Sequence, residues 1–113
     1  MSILVDEDKQ VYQSTSLPTL TWTVVDADGS AINLSGATVV LTVYAVDGTT
    51  LFTLSGAAVV ISGASSNIVT ATHTAANTAT VGHYRYTLRK TNSGAERTLA
   101  VGDFHIRDYR NLP

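Results

Sequence analysis

The chain has 113 residues, a formal net charge of −2 and no cysteine. This length suits a single domain with one hydrophobic core, and the lack of cysteine excludes disulfides and thiolate metal sites. The first ten residues contain no basic segment and only a short apolar run, so we expect no signal peptide, and no apolar run reaches membrane-spanning length.

Residues 1–18 are predicted to form an extended arm ahead of the domain. A short apolar run is followed by three acidic residues, and a second apolar pair lies between polar residues. Proline near the end of this segment interrupts any long strand, so we expect only a short edge strand near residues 10–14. The apolar residues of these two stretches are Ile3, Leu4, Val5, Val11 and Tyr12.

Apolar and polar side chains alternate with the period of a β-strand in seven further segments. Turn residues separate the segments, among them Asp47-Gly48, Ser55-Gly56 and Asn92-Ser93-Gly94. Short strands at regular spacing, without long helices, predict an all-β antiparallel sandwich of about seven strands over residues 19–110, followed by a tail at 111–113. The predicted strands cover residues 20–26, 38–45, 50–54, 58–62, 67–73, 83–91 and 96–108.

Side-chain alternation also predicts which face each strand buries. Tyr84, Tyr86 and Leu88 share one face, which we expect to be buried, and Trp22 is predicted to lie at the centre of the core. In the last strand the apolar positions change from odd to even numbers, which predicts a β-bulge at Gly102-Asp103.

The segment 74–80, with the sequence TAANTAT, is the one stretch with helical character. Seven residues do not form a stable helix unaided. We therefore predict a crossover between the two sheets that contains a single helical turn, with Thr74 able to cap it.

No constellation of residues specifies chemistry. Asp26-Ala27-Asp28-Gly29 resembles the start of a calcium loop, but the acidic residues that complete such a loop are missing, which favours an Asp-Gly turn. The chain has three histidines, His73, His83 and His105. Neither cysteine nor close pairing with a carboxylate supports a zinc site there, so we expect ordinary surface or strand-end histidines rather than metal ligands. There is no nucleophile elbow and no phosphate-binding glycine loop, and we therefore expect no enzyme activity, metal or cofactor.

Charge is distributed unevenly along the chain. Residues 1–84 carry six acidic residues and one basic residue, whereas residues 85–113 carry six basic and three acidic ones. Between Asp28 and Arg85 only Asp47 is charged, which indicates either a surface that something covers or a general preference for threonine.

The basic residues near the C-terminus are predicted to meet an acidic partner. Arg85 and Arg89 share one strand face, and residues 6–8 of a neighbouring copy would supply acidic groups. The acidic pI and the lack of clearly exposed aromatic residues argue against nucleic-acid binding.

Three segments together resemble the immunoglobulin-like domains of tailed-phage virion proteins. They are VVDADGSAINLSGATVVLTV at 24–43, GHYRYTL at 82–88 and TLAVGDF at 98–104. The resemblance covers residues 20–108 and extends in particular to the N-terminal domain of phage baseplate upper proteins. It implies an immunoglobulin-like sandwich and a structural role without active-site residues.

The resemblance implies a non-enzymatic bacteriophage virion structural protein. Baseplate upper proteins continue into a stalk, whereas this sequence ends at Pro113, so we expect a capsid decoration or cement protein that docks on the particle surface. The alternatives are a small tail, neck or baseplate component, or a carbohydrate- or receptor-binding module that uses Tyr12, Tyr44 or Tyr109. The expected location is the virion after synthesis in the host cytoplasm, in many copies or as a homo-oligomer.

The expected partners are phage structural proteins, such as the major capsid protein or a tail or baseplate protein, without nucleic acid or membrane. The predicted contacts are the uncharged strand surface around residues 50–72 and a set of individual side chains. An arm can pair with the open strand edge of a neighbour, so removal of residues 1–12 is expected to prevent incorporation without unfolding the domain. The individual interface residues are Ile3, Leu4, Val5, Val11, Tyr12, Arg85 and Arg89.

Overall fold

The computed structural model describes residues 5–6, 8–14, 19–25, 29–92 and 95–107. Within these ranges the chain is all-β, with two short 3₁₀ turns at Gly56–Ala58 and Ala76–Thr78 and no α-helix. The strands are β1 (Val5–Asp6), β2 (Lys9–Tyr12), β3 (Leu20–Thr23), β4 (Thr38–Ala45), β5 (Thr50–Leu54), β6 (Val59–Ser62), β7 (Ile68–Ala71), β8 (Gly82–Asn92) and β9 (Ala95–Arg107).

The strands form two sheets. The smaller sheet has the antiparallel order β3-β7-β6, and the larger has the order β9-β8-β4-β5 with β1 and β2 added along the free edge of β9. Both added strands run parallel to β9 in one continuous register, from Val5 opposite Ala100 to Tyr12 opposite Arg107. They are therefore two parts of one edge strand, which gives eight strands in two sheets of five and three.

The structure confirms the all-β prediction with two sheets, but the larger sheet is mixed. The prediction of a purely antiparallel arrangement is wrong at the edge formed by β1 and β2, where the pairing with β9 is parallel. Side-chain alternation reveals a strand but not the direction of its neighbour, so the pattern at the N-terminus could not show this.

The N-terminal segment belongs partly to the sheet of its own chain. The expected edge strand is present as β2, and the backbone N–H groups of Gln13 and Ser14 donate to the carbonyl oxygens of Arg107 and Thr78 at 2.7 and 2.9 Å. Val11 is fully buried in the core. Residues 1–4, 7 and 15–18 of the predicted arm lie outside the described residues.

The core lies between the two sheets and is centred on Trp22, as predicted. The indole Nε1–H of Trp22 donates to the Tyr86 hydroxyl at 3.0 Å, and the two ring centroids are 5.5 Å apart. Both side chains are fully buried, so this contact joins β3 of the smaller sheet to β8 of the larger one. At the edge, Lys9 lies over the Trp22 ring with its Nζ 4.9 Å from the centroid, and donates to the Thr21 carbonyl.

The last strand contains the predicted irregularity at a different place. Leu88 faces Ala100 but Arg89 faces Thr98, so Leu99 is the extra residue on β9. The prediction of a bulge at Gly102-Asp103 is wrong, because Leu99 and Ala100 are both buried and the change of face occurs between them. The sequence pattern predicts that Val101 faces the core, which places the change of face after it. In the structure Val101 is partly exposed and Ala100 is buried instead.

The connection from β7 to β8 crosses between the sheets, as predicted. It contains the 3₁₀ turn Ala76–Thr78, and the Thr74 hydroxyl accepts a hydrogen bond from the Asn77 backbone N–H at 3.3 Å. The Asn77 side chain in turn accepts the Thr74 backbone N–H at 2.8 Å. This reciprocal pair closes the turn without a regular helix.

The β4–β5 hairpin is closed by the predicted Asp47-Gly48 turn. Gly48 has a φ of +94°, which is a conformation that residues with a side chain rarely adopt. The Asp47 carboxylate accepts the Thr49 backbone N–H at 2.9 Å, and this hydrogen bond, helped by the Thr49 hydroxyl, lowers the pKa of Asp47.

Candidate functional site

The outer face of β8 and β9 carries a cluster formed by His83, Asp103 and His105, hereafter the histidine cluster. The two imidazole rings are stacked with centroids 4.7 Å apart and an interplanar angle of 7°. His83 Nε2 lies 3.3 Å from Asp103 Oδ1, and one ligand atom from each of the three residues lies within 4.8 Å of the others. The cluster therefore brings two imidazoles and one carboxylate close together on the surface of the larger sheet.

The register of the β8–β9 hairpin brings these residues together. Asn92 pairs with Ala95 at its closed end, and the extra Leu99 shifts the pairing so that His83 faces His105. On β9, Asp103 and His105 are two residues apart and share the outward face.

The expectation that no carboxylate lies close to the histidines is therefore wrong for two of them. The sequence carried part of the missed signal: once Asn92 pairs with Ala95, one extra residue in the last strand places His83 opposite His105. His73, in contrast, is fully buried in the core after the end of β7 and takes no part in the cluster.

The cluster is surrounded by groups of both charges. Arg85, which faces Asp103 in the register, has its NH1 atom 3.8 Å from Asp103 Oδ1. The backbone N–H of Asp103 donates to the Asp8 carboxylate at 3.1 Å. Gln10 on β2 faces His105, and its side-chain oxygen accepts a hydrogen bond from Arg107 at 3.3 Å.

The smaller sheet presents a surface of a different kind. Its three strands contain no charged residue, and their side chains alternate between the core and solvent. Val60 on its edge strand β6 is 53% exposed, while Ile68 and Thr70 on the central strand β7 are half-buried. The surface, hereafter the uncharged face, consists of Thr21, Thr23, Val60, Ser62, Ile68 and Thr70.

The described interface residues of the N-terminal arm differ in their surroundings. Val11 points into the core, Tyr12 is half-buried at the end of β2, and Val5 lies in β1. Ile3 and Leu4 are outside the described residues. The side chain of Val11 is therefore not available on the surface of this chain.

The two predicted interface arginines, Arg85 and Arg89, are exposed and share the outward face of β8. The sequence predicted this because they are four residues apart in one strand. Each has an acidic neighbour from its own chain: Asp103 beside Arg85, and Glu96 with Oε1 3.4 Å from the NH2 of Arg89. These ion pairs reduce the positive charge that the two arginines present to a partner.

Two other sequence motifs lie partly outside the described residues. Residues 26–28 of the Asp-Gly segment lie outside the described residues, while Gly29 after them has a φ of +88° as expected for a turn. Of the tyrosines considered for sugar binding, Tyr44 and Tyr12 are half-buried and Tyr109 is outside the described residues.

Comparison with known proteins assigns no family. No protein-family model matches the chain, and no curated protein matches it in sequence. Among the described residues, none of the helical segments has the length and apolar character needed to cross a membrane.

Proposed function

We propose that this chain is a non-enzymatic structural protein of a bacteriophage virion, and specifically a capsid decoration protein. In this proposal it docks on the particle through the uncharged face. The observation that carries the proposal is that a complete three-stranded sheet, exposed on one side, contains no charged residue. An exposed sheet face normally carries charges that keep it in water.

We further propose that the sandwich is immunoglobulin-like. In that fold one sheet contains strands B, E and D and the other contains C, F and G. The order β3-β7-β6 has the same pattern as B-E-D, and β9-β8-β4 has the same pattern as G-F-C, with β5 added beyond it. The N-terminal edge strand then precedes strand B in the chain and lies beside strand G.

Two tyrosines on β8 support this assignment. In immunoglobulin domains a disulfide joins strands B and F, and a tyrosine two residues before the second cysteine bonds back to the backbone upstream. Here Trp22 on β3 and Tyr86 on β8 make the contact between the sheets, and Tyr84, two residues earlier, donates from its hydroxyl to the Thr80 carbonyl at 3.2 Å. The buried Trp–Tyr pair would thus replace the disulfide of a cysteine-free domain.

The uncharged face suits docking for an electrostatic reason. Burying a charged side chain at an interface costs free energy unless it finds a partner, and the centres of protein interfaces are depleted in charged residues. Val60 and Ile68 gain free energy on leaving water, and the threonines around them carry no charge that would need a partner. The uncharged face also overlaps the surface around residues 50–72 that the charge distribution singles out.

This proposal moves the main contact away from the N-terminal arm. Because β2 pairs with β9 and Val11 fills the core, this part of the arm is engaged within its own chain. A partner would instead approach the smaller sheet, of which β6 forms one edge.

The experiment is to purify virions of the phage that encodes the chain and to count its copies by quantitative mass spectrometry. On the order of hundreds of copies per particle supports decoration of a capsid, since its lattice repeats many times. Roughly six to eighteen copies would contradict decoration and favour a tail, neck or baseplate component. Absence from virions would overturn the proposed function.

The docking face is tested with two matched variants. Val60→Lys places a charge on the edge strand β6 of the uncharged face, and Thr53→Lys places the same charge at an exposed position of β5 in the other sheet. We expect Val60→Lys to reduce occupancy on particles at least about tenfold, because an unpaired charge would be buried. Thr53→Lys should leave occupancy unchanged, and normal occupancy of folded Val60→Lys would contradict docking through this face.

A further inference from the structure

The geometry points to a binding site for a divalent transition-metal ion, formed by His83, Asp103 and His105. The site lies on the larger sheet and is independent of the docking proposed above. Histidine nitrogens and a carboxylate oxygen are common ligands of Zn²⁺.

The distances in the histidine cluster fit such an ion. Metal–ligand bonds of about 2.0–2.2 Å in tetrahedral geometry place the ligand atoms roughly 3.4 Å apart. His83 Nε2 and Asp103 Oδ1 are already 3.3 Å apart, and the ligand atoms of the three residues lie within 4.8 Å of one another. Because an imidazole binds a metal in the plane of its ring and the two rings are stacked nearly parallel, an ion shared by both requires at least one of these surface side chains to turn out of the stack.

The backbone beneath the cluster is well fixed. His83 and His105 face each other within a hairpin whose strands have 11 and 13 residues. β9 is paired on both sides, with β8 on one side and with β1 and β2 on the other. The backbone positions of the three ligands are therefore preorganised, which lowers the entropy lost on binding.

The ligand types select the class of ion. Imidazole suits Zn²⁺, Cu²⁺ and Ni²⁺, whereas Ca²⁺ and Mg²⁺ prefer sites made only of oxygen atoms. Two imidazoles and one carboxylate leave a fourth tetrahedral position, which water or a donor from another molecule can fill.

The charges around the site act in opposite directions. The Asp8 carboxylate, held by the backbone of Asp103, adds negative charge beside the ligands. Arg85 opposes a cation because it lies 3.8 Å from the Asp103 carboxylate. Its side chain is half exposed, so it can turn into solvent when an ion binds. Arg107 lies further along β9 and bonds to Gln10.

The test is a calorimetric titration of the untagged protein with Zn²⁺, together with Co²⁺ titration followed by visible absorption. We expect one equivalent to bind, and the affinity to fall as the pH is lowered because imidazole must be neutral to act as a ligand. His83→Gln and His105→Gln should each weaken Zn²⁺ binding at least about tenfold. Mutating a residue that only hydrogen-bonds to a metal ligand already lowers metal affinity by about that factor, and loss of the ligand itself should cost at least as much. Asp103→Asn should also weaken binding.

Two further variants separate this site from nonspecific binding. Glu96→Gln removes an exposed carboxylate of β9 outside the cluster and should leave the affinity unchanged, while Arg85→Gln should raise it. Circular dichroism establishes that each variant is folded. Absence of Zn²⁺ and Co²⁺ binding to the wild-type protein would overturn the proposal, and so would binding that persists undiminished in the folded His83→Gln/His105→Gln double variant.

Discussion

Trp22 and Tyr86 link the two sheets by a single buried hydrogen bond, 3.0 Å long. Replacing Tyr86 with Phe keeps the ring but removes the acceptor of the indole N–H. A buried donor that loses its acceptor costs about 1–3 kcal/mol, so we predict a loss of this size in the free energy of unfolding. Urea denaturation followed by the fluorescence of Trp22, the only tryptophan, measures it.

Tyr84→Phe is the matched comparison for this prediction. It removes a hydroxyl that donates to the Thr80 carbonyl at 3.2 Å from a less completely buried side chain. We expect a smaller loss, because water can reach a partly exposed carbonyl and replace the bond. Equal stability of Tyr86→Phe and the wild-type protein would contradict the role given to the Trp–Tyr bond.

Burial of individual residues was predictable, but their partners were not. The alternation in β8 correctly placed Tyr84, Tyr86 and Leu88 inside, because a strand has two faces and only one can face the core. The hydrogen bond from Trp22 to Tyr86 joins residues that are 64 positions apart, and no local pattern encodes such a distance. The histidine cluster is intermediate, since His83 reaches His105 through the register of one hairpin together with the extra residue Leu99.

At the scale of elements, the N-terminal strand β2 is expected to contribute to stability. Val11 on this strand is fully buried, and truncating a buried aliphatic side chain leaves a cavity. We predict that Val11→Ala lowers the free energy of unfolding by about 2 kcal/mol. Thermal denaturation should show a decrease of roughly 8–16 °C in the melting temperature for a domain of this size.

Val60→Ala provides the control, because it makes the same chemical change on an exposed strand position. Its stability should remain within about 0.5 kcal/mol of the wild-type value. If Val11→Ala were as stable as Val60→Ala, β2 would not be part of the cooperative fold. Because β2 pairs with β9 and Val11 is buried, we also predict that removal of residues 1–12 destabilises the domain, whereas the sequence alone predicted that the domain would stay folded without them.

The positions of most strands followed from the sequence, whereas two features of their arrangement did not. The predicted segments at 38–45 and 50–54 match β4 and β5, since alternation and the Asp47-Gly48 turn define both strands locally. The parallel pairing of β1 and β2 with β9 depends on which sheet edge is open. The bulge at Leu99 depends on packing, because Leu99 and Ala100 both reach the core.

At the scale of the whole molecule, the two sheets present opposite kinds of surface. The outer face of β8 and β9 carries paired charges, with Arg85 beside Asp103 and Arg89 beside Glu96. The smaller sheet carries none. The long stretch of sequence with few charged residues thus corresponds to one uncharged face, while the charged pairs lie on the other sheet. This arrangement suits a protein that docks with one face and leaves the other in solvent.

This separation predicts how docking responds to salt. Raising the ionic strength from about 0.1 to 1 M shortens the screening length from about 10 to 3 Å and weakens contacts between charged surfaces. Docking through the uncharged face should therefore change less than about threefold in affinity over this range, because apolar burial is not screened. Binding to particles depleted of the protein, measured by co-sedimentation, gives the affinity. A fall of tenfold or more, abolished in an Arg85→Gln/Arg89→Gln variant, would instead assign docking to the charged face of β8 and β9.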